Sequence, residues 1–101
     1  MPDKPWKVAE RRAAKEVGGT RNRMSGSVDQ LTSGDVIHPA LYVEVKYSAR
    51  FAVGRLMREV RQAAKLEGKV PVLALQEKGR KTRLYVVDKR DFQRFVEELA
   101  K

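Results

Sequence analysis

Three stretches of the chain carry apolar residues at the spacing of about 3.6 residues that is typical of an amphipathic helix. The first covers residues 4–17 and is followed by a Gly-Gly pair, which favours a helix stop. The second covers residues 49–67 and ends before Gly68, and the third follows Asp88, which is placed as a helix N-cap. The apolar residues of these helices, which we expect in the core, are Trp6, Ala9, Ala13, Val17, Val53, Leu56, Met57, Val60, Ala63, Ala64, Phe92, Phe95, Val96 and Leu99.

Strand patterns lie between these helices. Residues 35–38 and 41–46 are short runs separated by a Pro-Ala turn, which predicts an antiparallel hairpin. Residues 70–75 are apolar throughout, as in a central strand with both faces covered, and residues 83–87 supply a neighbouring strand. The order α-β-β-α-β-β-α predicts an α/β fold in which a small mixed β-sheet is flanked by three helices, in a single domain of residues 1–101.

The connection between the first helix and the hairpin, residues 18–34, is rich in Gly, Ser and Thr. So long a connection in a small domain is usually functional or disordered. We expect a flexible basic loop that opens with an extra short strand over residues 21–24. Arg21, Arg23 and Ser25 on this loop are candidates for clamping a DNA phosphate, and the alternative is a basic loop with no fixed role.

The hairpin brings together a D-x8-E-x-K pattern. Asp35 begins its first strand, and Glu44 and Lys46 project from one face of the second, because successive strand residues point to opposite sides. Two carboxylates and a nearby backbone carbonyl, for which Val45 is the candidate, are the oxygen ligands that Mg²⁺ or Mn²⁺ prefers. Lys46 can orient the attacking water or stabilise charge that develops on a phosphate. The pattern is short and common, so a solvated strand face without a catalytic role is an equal alternative.

A third carboxylate, Glu10, lies four residues after Trp6 and therefore leans toward the apolar stripe of the first helix. It is placed to hold a water molecule on the same metal ion. The helical spacing of Trp6 favours core packing over stacking on a nucleobase. Phe51, outside the main stripe of the second helix, is a better candidate for a dimer contact, and His38, the single histidine, is expected to have a structural role at the hairpin turn.

The chain is strongly basic, with 22 Lys and Arg against 13 Asp and Glu, and its formal charge of +9 indicates a polyanionic partner such as nucleic acid. Cysteine is absent, and no apolar run is long enough to span a membrane or to form a signal peptide. We therefore expect a cytoplasmic protein without membrane association, located at the nucleoid or encoded by a phage. The candidates for phosphate contact, any one of which can also be plain surface charge, are Arg55, Arg58, Arg61, Lys65, Lys78, Arg80, Lys81 and Arg83.

Five segments in order, A-E-R-R, R-x-R-M-S-G-S, G-D-V, V-E-V-K-Y-S and G-K-V-P-V-L-A-L, resemble the archaeal-type Holliday junction resolvases, and the resemblance covers nearly the whole chain. That family belongs to the PD-(D/E)xK superfamily, which implies a restriction-endonuclease-like core. One departure is Gly34, which stands where the superfamily carries its eponymous proline; that proline ligates nothing. The resemblance implies a catalytic set of Glu10, Asp35, Glu44 and Lys46, with Arg11, Arg23 and Ser25 supporting DNA contact or the site.

The resemblance further implies a Mg²⁺-dependent endodeoxyribonuclease, with Mn²⁺ able to substitute, that resolves four-way DNA junctions by paired symmetric nicks. Two nicks across a two-fold axis require two sites, so a C2 homodimer is expected. Two alternatives stay open. One is a nuclease of the same fold that acts on flaps or other branched DNA, and the other is a basic DNA-binding module without catalysis.

Overall fold

The computed structural model describes residues 3–23 and 32–101, which form a five-stranded mixed sheet with three helices packed on it. The strand order is β1-β2-β3-β4-β5, and the pairing of β3 with β4 is parallel whereas the other pairs are antiparallel. This architecture confirms the predicted α/β class. The elements in chain order are α1 (Pro5–Glu16), β1 (Thr20–Arg21), β2 (Val36–Ile37), β3 (Leu41–Ser48), α2 (Val53–Glu67), β4 (Val70–Glu77), β5 (Leu84–Val86), a 3-10 turn (Lys89–Asp91) and α3 (Phe92–Leu99).

The helices end where glycines allow it. Gly18 and Gly68 adopt φ of 77° and 65°, the left-handed conformation that closes a helix at little cost only in glycine. The second helix begins at Val53 and not at residue 49, because β3 is longer than predicted. Its last residue, Ser48, pairs with Glu77 and accepts a hydrogen bond from the Lys78 N–H at 3.0 Å, so the chain stays extended there.

The parallel pair of β3 and β4 forms the centre of the sheet, with eight residues in register from Leu41 opposite Val70 to Ser48 opposite Glu77. Alternate side chains enter two separate cores. Leu41, Val43 and Val45 pack with α1 and Phe95 of α3 on one face, whereas Tyr42 packs with α2 on the other. The predicted alternation in β3 is confirmed, and the face that carries Glu44 is covered by α2 and is not fully solvated.

Three predictions about the core were wrong. Val53, the first residue of α2, is 39% exposed, because the helix first reaches the core at Leu56. Trp6 is 43% exposed, because α1 approaches the sheet through small residues further along, chiefly Ala9 and Ala13. Only Phe95 of α3 is buried, whereas the rest of its predicted stripe is exposed. The helix is eight residues long and contacts the core only at Phe95, so the other three apolar side chains remain at the surface. The exposed residues of that stripe are Phe92, Val96 and Leu99.

The prediction of a flexible loop over residues 18–34 falls partly on residues 24–31, which lie outside the described part of the chain. On either side of that gap the backbone has defined partners: Thr20 and Arg21 form β1 one residue earlier than expected, and residues 32–34 are held by hydrogen bonds. Within residues 3–23 and 32–101, no helix combines the length and apolar character that a bilayer crossing requires.

Candidate active site

Asp35 lies immediately before β2 and is almost completely buried, with 6% of its surface exposed. Backbone groups of β3 hold both its main chain and its side chain. Its N–H donates to the carbonyl of Val43 at 2.9 Å, and its Oδ2 accepts the N–H of Val45 at 2.8 Å. Because Val36 pairs with Val43 in the antiparallel ladder, Asp35 comes beside Glu44 on β3.

Glu44 is half-buried, and its carboxyl lies within hydrogen-bonding reach of that of Asp35. Burial, followed by the hydrogen bond and charge of Asp35, raises the pKa of Glu44 to about 8, while the charge of Lys46 acts in the opposite direction. The hairpin therefore brings together Asp35, Glu44 and Lys46, as the sequence predicted. Two acidic groups held this close favour either a shared proton or a bound cation.

Glu10 reaches the same region from α1 but already has a partner. Its Oε1 accepts a hydrogen bond from Arg21 Nε at 2.9 Å, and both side chains are mostly buried. Burial raises the pKa of Glu10, the hydrogen bond from Arg21 lowers it, and the charge of Asp35 raises it again. Among the described residues, no group of three or more His, Cys, Asp or Glu side chains is arranged to hold a metal ion. The direct contact is thus between two carboxyls, with Glu10 held by Arg21.

Lys46 lies on the side of β3 that faces the start of α2. It lines a cavity of about 270 Å³ together with Arg50, Phe51 and Arg55. The predicted dimer contact Phe51 is only partly buried and packs against the core formed with α2. Glu59 is the acidic residue of the lining, and of the three cations only Lys46 is near enough to Glu44 to lower its pKa.

Asn22, which the sequence did not single out, holds the backbone of Asp35 in place. The residue is buried and follows β1; its Nδ2 donates to the carbonyls of Thr32 at 3.0 Å and Gly34 at 2.9 Å. Its N–H donates to the carbonyl of Asp35 at 2.9 Å. One side chain therefore ties β1 to the segment that leads into Asp35. Asn22 is the single asparagine of the chain, but nothing in its neighbours marks those distant partners.

The same segment is also tied to α2. The N–H of Ser33 donates to Glu67 Oε2 at 2.9 Å, and the Ser33 and Tyr42 hydroxyls are hydrogen-bonded at 2.9 Å. Local contacts explain why position 34 is a glycine. The Gly34 N–H, which proline would lack, donates to Thr32 Oγ1 at 3.1 Å, and a Cβ on Gly34 would lie 3.1 Å from the carbonyl oxygen of Val43.

The predicted DNA-contacting residues fall into groups. Arg21 and Arg61 have internal partners, Glu10 for the first and Asp88 and Asp91 for the second, which account for their charge without DNA. Ser25 lies outside the described residues. The exposed members of the set are Arg11, Arg23, Arg55, Arg58 and Lys81. Of these, Arg11 pairs with Asp3 and Arg55 pairs with Glu59.

His38 has the structural role that the sequence predicted. Its Nδ1 accepts the backbone N–H groups of Ala40 at 3.0 Å and Leu41 at 3.1 Å, which closes the turn between β2 and β3. Burial lowers the pKa of His38, and the charge of Glu98 acts against that effect. The neutral imidazole is the form that this turn requires, because a protonated Nδ1 cannot accept.

Comparison of the chain with models of protein families, with curated proteins and with solved structures finds no match. The resemblance to the archaeal-type resolvases therefore rests on the five sequence segments.

Proposed function

We propose that this chain is a divalent-metal-dependent endonuclease with a restriction-endonuclease-like core that cleaves branched DNA. The observation that carries the proposal is the contact between the Asp35 and Glu44 carboxyls, with Lys46 two residues further along the same strand. The β2–β3 hairpin, the α2 crossover and the parallel strand β4 form the framework on which such a site would be built. A purely structural pair of acids in this position would only weaken the fold.

The donor set suits a hard cation. Mg²⁺ and Mn²⁺ prefer carboxylate and carbonyl oxygens, and an ion between Asp35 and Glu44 would relieve the repulsion that raises the pKa of Glu44. Asp35 and Glu44 would hold the ion, and the carbonyl of Val45 is the candidate backbone ligand. When bound, the ion would supply charge neutralisation at the phosphate and a more acidic water.

The remaining residues would act on the water and the phosphate. The Lys46 ammonium, next to the acidic pair, would donate to a phosphate oxygen and stabilise the negative charge that develops there. Glu10 would hold the attacking water by accepting its hydrogen bond, and this role requires that Glu10 loosen its ion pair with Arg21. Phosphate binding by Arg21 would release Glu10 in that way.

The proposed substrate, branched DNA, is supported by the net charge of the chain and by the chemistry proposed for the acidic pair. A net charge of +9 favours DNA backbone contacts that are independent of base sequence, so DNA shape would provide the selectivity. Our proposed substrate is the four-way junction, nicked at two symmetric positions. The residues that the structure describes offer one such acidic pair per chain, so we propose a homodimer as the active species.

A cleavage assay on an immobile four-way junction, beside a linear duplex of the same sequence, tests this proposal. We expect nicks in the junction that require Mg²⁺ or Mn²⁺. Asp35→Asn and Glu44→Gln should abolish cleavage while junction affinity, measured in Ca²⁺ or EDTA, stays within a few-fold of that of the native chain. Glu97→Gln, which removes an exposed carboxylate on α3, is the matched control and should cleave normally.

Each alternative has its own outcome in the same assay. Faster cleavage of flaps than of four-way junctions would identify a related nuclease with another branched substrate. Junction binding without cleavage in the native chain, under all metal conditions, would identify a DNA-binding module and reject catalysis. Cleavage by Asp35→Asn at the native rate would show that the site lies elsewhere.

A further inference from the structure

Trp6 is an exposed aromatic residue beside the candidate active site. It lies in the first turn of α1, 43% of its surface is exposed, and it is the single tryptophan of the chain. A side chain of this size gains much from burial, so the exposed part of Trp6 offers a large apolar surface to a ligand.

The surroundings of Trp6 are cationic. It lines a cleft of about 520 Å³ with Lys7, Arg11, Arg21 and Arg23, and Asp3, paired with Arg11, is the acidic residue among the lining side chains. The Lys7 ammonium lies 5.5 Å from the centre of the indole ring. An aromatic surface among several cations attracts a ligand that is both flat and anionic.

The cleft is directly connected to the carboxylates. Arg21, which lines the cleft, donates from Nε to Glu10 at 2.9 Å, and the charge of Glu10 acts on the pKa of Glu44. A nucleotide bound in the cleft would therefore lie next to Glu10, the carboxylate that Arg21 holds. Its phosphate could compete with Glu10 for the guanidinium of Arg21.

We propose that this cleft binds a nucleobase of the DNA that has one face uncovered by its neighbours, stacked on Trp6, with its phosphates at the arginine side chains. The proposal rests on the DNA-directed function proposed above and specifies its substrate. A base within a duplex has both faces covered by its neighbours, so a free face is available only at a branch point, a gap or a single-stranded end. The chain should therefore favour four-way junctions and single strands over a linear duplex of equal charge.

Because the chain has one tryptophan, its fluorescence reports this contact directly. In EDTA, we expect a single-stranded oligonucleotide to quench the emission strongly, and a blunt duplex of the same length to quench it weakly at equal occupancy. Occupancy is followed separately by the anisotropy of labelled DNA. Trp6→Ala should weaken single-strand binding by about 5- to 100-fold, whereas Trp6→Phe, which keeps an aromatic face, should retain most of the affinity.

Phe92→Ala is the matched control, because Phe92 is an aromatic residue with 59% exposure that does not line the cleft. It should bind single-stranded DNA like the native chain. Circular dichroism and the melting temperature of each variant check that it folds; an exposed side chain in a first helical turn should tolerate replacement. Native affinity in Trp6→Ala, or bound single-stranded DNA that leaves the fluorescence unchanged, would overturn the proposal.

A second copy of the chain, bound at Trp6 in place of a nucleobase, would give a different result. If Trp6 packs against another copy of the chain, its emission will shift, in the absence of DNA, over the protein concentrations at which sedimentation shows association; that shift also overturns the proposal. Association that leaves the emission unchanged is the homodimer proposed above. Because these measurements use no metal, they are independent of catalysis. Quenching without cleavage would support the base-binding cleft and reject the nuclease. Cleavage without quenching would support the nuclease and reject the cleft.

Discussion

The carboxyl groups of Asp35 and Glu44 lie side by side where β2 and β3 pair, and their closeness adds to the effect of burial in raising the pKa of Glu44 to about 8. Two ionised carboxylates offer only hydrogen-bond acceptors, so they repel each other, and one proton between them relieves that repulsion. The fold therefore keeps a proton at this position to a pH at which exposed carboxyls have lost theirs. A divalent cation between the two groups would replace that proton, which links the stability of the protein to both pH and Mg²⁺.

Glu44→Gln should stabilise the metal-free protein at alkaline pH. In the unfolded chain Glu44 ionises near 4.5, whereas in the folded protein its pKa is about 8, so the folded state binds the extra proton between these values. Stability must then fall as pH rises through this window, by at most about 1.4 kcal/mol per pH unit for one proton. Glutamine cannot ionise, so the variant should melt several degrees above the native chain at pH 8.5 in EDTA.

Melting temperatures from pH 5 to pH 9, with and without Mg²⁺, provide the measurement. Mg²⁺ should raise the melting temperature of the native chain most at high pH and have little effect on Glu44→Gln. Glu59→Gln, on the exposed face of α2, should follow the native curve. A native protein whose stability rises between pH 5 and pH 8 relative to Glu44→Gln would contradict this account of the acidic pair.

Asn22→Ala should weaken metal binding as well as stability. Removing the amide leaves the buried carbonyls of Thr32 and Gly34 without this donor, at a cost of about 1–3 kcal/mol in the free energy of unfolding. It also loosens the backbone that orients Asp35, so the affinity for Mn²⁺, measured by electron paramagnetic resonance at a temperature where the variant is folded, should fall several-fold. Gln62→Ala, which removes an exposed amide from α2, is the control. Unchanged Mn²⁺ affinity in a destabilised Asn22→Ala would show that Asn22 has a structural role only.

The sequence could predict the parts of the site that depend on local pattern. Alternation along β3 placed Glu44 and Lys46 on one face, and a two-residue turn placed Asp35 opposite them, because strand geometry leaves few choices. The positions of the helices and the other strands could likewise be predicted, because each type of element has its own spacing of apolar residues. Gly68 marked the end of α2 through its need for a positive φ.

The remaining parts depend on contacts between distant segments. Arg21 binds Glu10 across eleven positions, and the partners of Asn22 are backbone carbonyls ten and twelve residues away, which no side-chain pattern encodes. The periodicity around Trp6 and Phe92 correctly indicated amphipathic helices. It could not show which turn of each helix would overlap the sheet, so it predicted burial for side chains that are exposed.

Gly19→Ala should destabilise the protein far more than a second glycine-to-alanine change. A Cβ on Gly19 would lie 2.6 Å from the carbonyl oxygen of Ile37 and 2.7 Å from Val36 Cγ1, so β2 would have to move away from the end of α1. We expect a loss of about 1–3 kcal/mol in the free energy of unfolding by denaturant titration. Gly54→Ala is the matched control, because the nearest atom to its Cβ is the flexible Arg58 guanidinium at 3.6 Å, and a helical alanine should stabilise by up to about 1 kcal/mol. Equal effects of the two changes would contradict the packing of α1 against β2.

His38 should make the turn between β2 and β3 sensitive to acid. Burial lowers its pKa in the folded protein below the ordinary value of 6.5, so the folded state prefers the neutral ring. Its contribution to stability is therefore complete above pH 6.5 and is lost as pH falls through the lower, folded-state pKa. Asparagine carries an acceptor at the position of Nδ1 and does not titrate, so His38→Asn should keep the turn closed at every pH.

The difference in unfolding free energy between His38→Asn and the native chain isolates this group, because Glu44 titrates in both proteins. We expect that difference to be constant above pH 7 and to move in favour of the asparagine variant as the pH is lowered to 5. His38→Ala, which leaves the N–H groups of Ala40 and Leu41 without an acceptor, should lose about 1–3 kcal/mol at neutral pH. A difference between His38→Asn and the native chain that does not change from pH 5 to pH 8 would mean that the ring remains neutral throughout, or that its protonation is tolerated because Nδ1 is not the acceptor that closes the turn.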